Sequence, residues 1–160
     1  MAEKLSDLFE AARGPVIEWR GQVVHAMYEI AELAGSAVLK ITFADPSPAR
    51  PQGLRLKAQG GRLEINDQLH GDVVLWSDSA PSVVVAVAHP KRGKVMSLRL
   101  WNAWRDPAGT TQAWIGNAGM LVEGDLEQGL VLRCSDGFDE PTFDDLVATL
   151  VVTEEAARSS

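Results

Sequence analysis

Tryptophan, arginine and amide side chains crowd the stretch LRLWNAWRDPAGTTQAWIGN, residues 98–117. Indole rings offer flat apolar faces, and guanidinium and amide groups supply hydrogen bonds beside them. Together they could stack on a sugar ring, on a planar ligand or on a partner's side chains. The residues singled out are Arg99, Trp101, Arg105, Gln112 and Trp114. A second chemistry is suggested by SDGFDEPTFDD, residues 135–145, where Asp136, Asp139 and Asp144 could give a calcium ion hard oxygen ligands. The spacing does not match the EF-hand loop, so a solvated acidic loop is the plain alternative.

Other reactive types are sparse. Asp67, His70 and Asp72 could meet at a metal, but no paired H-x-x-x-H spacing accompanies them. His89 precedes a proline at a strand end, where a hydrogen-bonded edge residue is expected. Cys134, the single cysteine, lies in LVLRC and reads as a small buried strand residue; one cysteine excludes an internal disulfide. No P-loop, G-x-G-x-x-G or G-x-S-x-G pattern occurs. GNAG at 116–119 follows a strand without opening a helix, which suits a turn better than a phosphate cradle. Carboxylates are plentiful, yet sequence does not say whether any two sit at the separation a glycosidase needs.

The elements that must position these residues change character along the chain. Leu5, Leu8, Phe9 and Ala12 have helical spacing, and Gly14-Pro15 ends that helix. From Pro15 to Ala34, Val16, Trp19, Val23, Met27, Ile30 and Ala34 form an apolar stripe opposite Glu18, Gln22, His25, Glu29 and Glu32, which predicts a second helix. A strand over 16–24 competes, because Ile17, Trp19, Gly21 and Val23 alternate with polar neighbours. The helical pattern runs longer, so we favour it.

After Ala37 the period becomes two. Val38–Phe43, Leu54–Ala58, Arg62–Ile65, VVLW, SVVVAVA, VMSLRLWNAW, TTQAWI, GMLVE and LVLRC read as short strands divided by turn residues, with a hairpin expected at Gly60-Gly61. Without helical crossovers these strands predict two packed antiparallel sheets. The expected fold class is α+β, mainly β: a sandwich of jelly-roll type carrying one or two N-terminal helices. The expected organisation is one domain, with a helical segment at 1–36, the sandwich at 37–153 and a disordered tail at 154–160.

Register can be read within the tryptophan stretch. A four-residue loop, DPAG, would set Arg105 opposite Thr110 and Trp101 opposite Trp114. Met96, Leu98, Leu100, Asn102 and Trp104 then share a core face with Thr111, Ala113 and Ile115. Arg99, Trp101, Ala103 and Arg105 share the other face with Thr110, Gln112 and Trp114. The expected helix at 15–34 either covers this second face or leaves it open for a ligand.

The 160 residues include 46% hydrophobic and 23% charged ones, as in an ordinary globular domain. A net charge of -7 works against binding nucleic acid, since phosphates demand clustered lysine and arginine. The one basic cluster, Lys91-Arg92-Gly93-Lys94, reads as a charged turn. No charged start leads into an apolar stretch, and no apolar run approaches the ~18 residues needed to span a bilayer, so no membrane partner is expected and a cytoplasmic location is the default.

Phe143 to Val152 fits either a helix or a closing strand. FDDLV, residues 143–147, resembles the aspartate-rich DFNDLV ending of some bacterial β-sandwich modules. That resemblance implies acidic residues at a loop and apolar ones entering a final strand; Thr142 stands where those modules often have another Asp. The function expected from these features is non-catalytic recognition of a carbohydrate or protein partner, without a cofactor beyond a structural calcium, and homo-oligomers are compatible with it. The alternative is a small acidic inhibitor or immunity-type protein steered to a basic partner. A sandwich-fold hydrolase using carboxylates ranks below both.

Overall fold

The computed structural model describes residues 4–33, 37–44, 50–79, 82–138 and 140–154. The expected first helix is α1, Leu5–Ala12. Its N-terminal amides are met from a distant turn: Leu5 N–H donates to Asn117 Oδ1 at 3.1 Å and Ser6 N–H to the Gly116 carbonyl at 2.9 Å. Leu5 is fully buried in a small satellite core with Ile17, Val24 and Phe143.

The second helix does not form. Its segment folds as strands β1 (Val16–Trp19), β2 (Gln22–His25) and β3 (Tyr28–Leu33). Trp19 pairs with Gln22 across a two-residue turn, in which Arg20 (φ 50°) and Gly21 (φ 77°) both take left-handed backbone angles. Such a turn matches the twist of antiparallel strands, and β-branched Val16, Ile17, Val23 and Val24 favour the extended state on either side. The strand alternation that lost to the longer helical stripe was the physical signal, and the helical N-terminal segment therefore ends at Ala12.

The remaining strands are β4 (Ala37–Phe43), β5 (Gln52–Gln59), β6 (Gly61–Ile65), β7 (Gln68–His70), β8 (Asp72–Trp76), β9 (Val83–Pro90), β10 (Met96–Arg105), β11 (Thr111–Gln112), β12 (Gly119–Asp125), β13 (Gly129–Ser135) and β14 (Leu146–Glu154). They build two antiparallel sheets. One runs β1-β2-β12-β13-β14-β4-β9-β6-β7, the other β11-β10-β5-β8, with β3 also paired to β10. Leu39 and Ile41 from the first sheet meet Leu54, Leu56, Leu98 and Leu100 from the second in one core, all fully buried. The expected α+β, mainly β sandwich is thus present. For its wiring the structure supports the strand order above and not the narrower description as a jelly roll.

The 143–152 ambiguity resolves as β14, which extends through Glu154 and so takes in the first residue of the expected tail; residues 155–160, like 34–36 of the N-terminal segment, lie outside the described residues. The expected hairpin at Gly60-Gly61 is a sheet crossing instead. β5 pairs with β10 and β8, while β6 pairs with β9 and β7. Gly60 (φ 75°) makes that corner, since a Cβ there would lie 2.3 Å from the Val95 carbonyl oxygen. Among the described residues no helix is long and apolar enough to cross a membrane.

Candidate functional site

The β10–β11 connection sets the site. Trp104 pairs with Gln112 and Arg105 with Thr111, one residue away from the expected register. The loop holds three residues rather than four, because Asp106 N–H bonds the Thr110 carbonyl at 3.0 Å and Gly109 takes φ 85°. Asp106 organises the loop. Its carboxylate accepts from Gln112 Nε2 (3.0 Å), Thr110 N–H (2.9 Å) and Ala108 N–H (3.0 Å), and the Gln112 bond leads the effects that hold it below the usual carboxylate range. Gln112 consequently lies on the side of Trp104 and not with Trp101, which removes it from the expected face.

Trp114 reaches Trp101 by another route. Strand β11 is only Thr111–Gln112, after which the chain turns away and Trp114 adopts φ 61°. Along one edge of β10, β3 pairs as far as Leu100 and β11 begins opposite Trp104, which leaves residues 101–103 between them. Trp114 stacks there on Trp101 with centroids 4.6 Å apart and planes tilted by 33°, and its indole N–H donates to the Ala26 carbonyl at 2.9 Å. Trp101 is 4% exposed, Trp104 0% and Trp114 50%. Trp104 therefore belongs to the core as expected. Trp101 is covered too, by Trp114 rather than by a helix.

The same outward phase of β5 and β8 adds residues that the sequence reading missed. Arg55 pairs with Trp101 and Val74, and Gly53 pairs with Ala103 and Trp76. Arg55 sits 5.2 Å from the Trp101 ring centroid and holds Asp72 through two bonds of 2.8 and 2.6 Å. That bidentate bond is the largest influence lowering the Asp72 carboxyl and raising the Arg55 guanidinium. Arg105 lies 4.2 Å over the Trp76 ring, and Arg99 faces Glu29 at 3.5 Å. The outer face of this sheet thus carries Trp76, Trp101 and Trp114 interleaved with Arg55, Arg99 and Arg105. Among the described residues the one helix packs on β1.

The alternation in LRLKA and VVLW already pointed Arg55 and Trp76 away from the leucines. What sequence lacked was the long-range pairing of β5 with both β8 and β10.

The acidic loop has a different task. Asp136 is 1% exposed; its Oδ2 accepts from Arg50 Nη1 and from Gln52 Nε2 (2.9 Å), and its Oδ1 from Phe138 N–H (3.0 Å). Gln52, Asn102, Ser135 and Asp136 are the buried polar residues of the described chain, and bonds from Asn102 Nδ2 to the Ser135 carbonyl (2.8 Å) and from Phe143 N–H to Ser135 Oγ tie them together. Asp145 accepts Asp136 N–H at 3.0 Å, and burial pushes its carboxyl above the usual range. The expected calcium ligands are not gathered: Asp136 is committed to Arg50 and Gln52, Asp144 accepts the Thr142 hydroxyl, and Asp139 lies outside the described residues. Among the described residues no three His, Cys, Asp or Glu side chains converge. Cys134 is fully buried, which pushes its thiol far up and keeps it protonated.

Protein-family models, curated proteins and solved structures were compared with the chain, and none matches.

Proposed function

We propose that this chain is a non-catalytic binding module that holds a carbohydrate against the outer face of the five-stranded sheet. The observation that carries the reading is Trp114, half exposed while one side of its ring rests on Trp101 and its N–H is tied to Ala26. The indole is fixed before any ligand arrives, so stacking a sugar ring on its open side costs little ordering of the protein. Trp76 with Arg105 continues the platform along β8 and β10. A flat, open face of this kind suits the extended surface of a glycan.

Two other readings have less support. The carboxylate pair of Asp136 and Asp145 is occupied by donors from the protein itself, whereas a sandwich-fold hydrolase would need such groups turned toward substrate. The acidic-inhibitor reading draws on the net charge of -7, but that charge is not gathered on the aromatic face, where Arg55, Arg99 and Arg105 lie beside the tryptophans.

The test is a titration of intrinsic fluorescence with soluble polysaccharides, both neutral and acidic. Binding should change the tryptophan signal, and Trp114→Ala should weaken binding at least tenfold while the protein stays folded. Failure of every polysaccharide to bind, or binding that is indifferent to Trp114→Ala, overturns the proposal.

A further inference from the structure

The outer face gathers three guanidinium groups beside its indole rings on an acidic protein. Its β-strand residues supply four basic side chains, Arg55, Lys57, Arg99 and Arg105, against three acidic ones, Glu29, Glu32 and Asp72, in a chain whose net charge is -7. Two of the guanidiniums are held by those acids, Arg55 by Asp72 and Arg99 by Glu29. Arg105 differs. Among the described residues it has no carboxylate partner, and its guanidinium lies 4.2 Å above the Trp76 ring while the residue remains exposed.

From this geometry, and resting on the carbohydrate-binding reading, we infer that the ligand is an acidic glycan built from uronic acid units, whose ring carboxylate is taken by Arg105 while a sugar ring stacks on Trp114. A guanidinium laid on an indole has one face already shielded from water, while the N–H fork in its plane stays available. That fork matches both oxygens of a carboxylate. The ring keeps the long side chain in place, which lowers the entropy lost on binding. A neutral glycan would use the rings but leave the Arg105 guanidinium without a counter-charge. An acidic peptide would answer the charge but offers no regular ring faces to Trp114.

The experiment compares polygalacturonate, alginate and hyaluronan with fully methyl-esterified polygalacturonate and with poly-L-glutamate, using calorimetry and tryptophan fluorescence on the intact protein. At least one polyuronate should bind. The methyl ester should bind at least tenfold more weakly than polygalacturonate if that is the polymer bound, and raised salt should weaken the interaction. Arg105→Ala should cost at least tenfold for the polyuronate with unchanged melting temperature. Arg105→Lys, which keeps the charge and loses the fork, should recover only part of that loss. Arg62→Ala, on the other sheet, should change nothing.

Equal binding of polygalacturonate and its ester would overturn the acidic-ligand inference and leave the carbohydrate-binding reading standing. Binding of none of the three polyuronates beside a neutral polysaccharide that does bind would have the same meaning. Poly-L-glutamate binding as tightly as the polyuronates would show that charge alone is recognised and overturn the glycan assignment. If no polysaccharide binds, both readings fall together.

Discussion

Gly53 gives the sharpest test of how the aromatic face is built. It sits in mid-strand between Ala103 and Trp76, and nothing in its backbone angle demands glycine. Glycine within a strand ordinarily costs about 0.5–1 kcal/mol relative to alanine, so Gly53→Ala ought to stabilise if local preference decided the matter. Packing argues the reverse. A Cβ at this position would lie 2.8 Å from Val74 Cγ1 and 2.9 Å from Trp76 Cε3, where ordinary carbon contacts need about 3.5–4 Å. Relieving both contacts means shifting an indole that also carries Arg105, an overpacking cost of about 1–3 kcal/mol. The net expectation is a loss of about 0.5–2 kcal/mol, read as a lower urea midpoint with unchanged slope. In a Val74→Ala, Trp76→Ala background both obstacles are gone, and the same Gly53→Ala change should become stabilising by about 0.5–1 kcal/mol. A Gly53→Ala effect of the same sign in both backgrounds would refute the claim that Trp76 lies over this glycine.

The tryptophans should separate by burial: Trp104→Ala and Trp101→Ala should each cost about 3–5 kcal/mol, while Trp114→Ala should cost about 2 kcal/mol, and acrylamide should quench Trp114 far more readily than the other two. Replacing Arg50 with methionine leaves the Asp136 carboxylate buried without its cation and should destabilise by about 3 kcal/mol in denaturant melts. Asp145 has a raised pKa in the folded state, so its ionisation opposes folding once pH exceeds the ordinary carboxyl range; Asp145→Asn should raise the melting temperature at pH 7, and the gain should shrink below about pH 4, where the native residue is itself protonated. A gain that persisted unchanged into acid would mean that something other than charge is responsible.

Local signals served well wherever one segment decided its own structure. The helix at Leu5–Ala12, the strand alternation after Ala37 and the burial of Trp104 follow from spacing alone. Errors arose where two segments had to agree. Residues 15–34 carry apolar groups at positions compatible with either period, and the left-handed pair Arg20-Gly21, which ends the argument in favour of a hairpin, is two residues in a stripe of twenty. DPAG has the composition of a four-residue loop, but Asp106 remains paired and Gly109 supplies the left-handed turn, which shifts the β10–β11 register by one residue. For Arg55, Asp72 and Trp76 no local rule could suffice. Their meeting with Trp101 depends on β5 lying between β8 and β10, a pairing that joins segments tens of residues apart.

The buried polar group and the open aromatic face belong to the same two strands. On β5, Gln52 turns inward to Asp136 while its neighbour Gly53 turns outward beneath Trp76. On β10, Asn102 turns inward to the Ser135 carbonyl while Trp101 and Ala103 turn outward. Because side chains alternate along a strand, each inward hydrogen bond also fixes the twist and height of the outward residues beside it. The proposed stacking of sugar rings demands a platform held to within a fraction of an ångström, and polar contacts on the opposite side of the sheet would supply that precision. On that proposal Gln52 and Asn102 act as positioning residues. Replacing Asn102 with leucine would remove the buried bond to the Ser135 carbonyl, and the disturbance should reach the neighbouring Trp101 directly. The expected outcome is a changed near-ultraviolet tryptophan signal and weaker glycan binding in a protein that remains folded, although Asn102 touches no part of the face. An unchanged aromatic signal with unchanged binding would mean that the two sides of the sheet are independent.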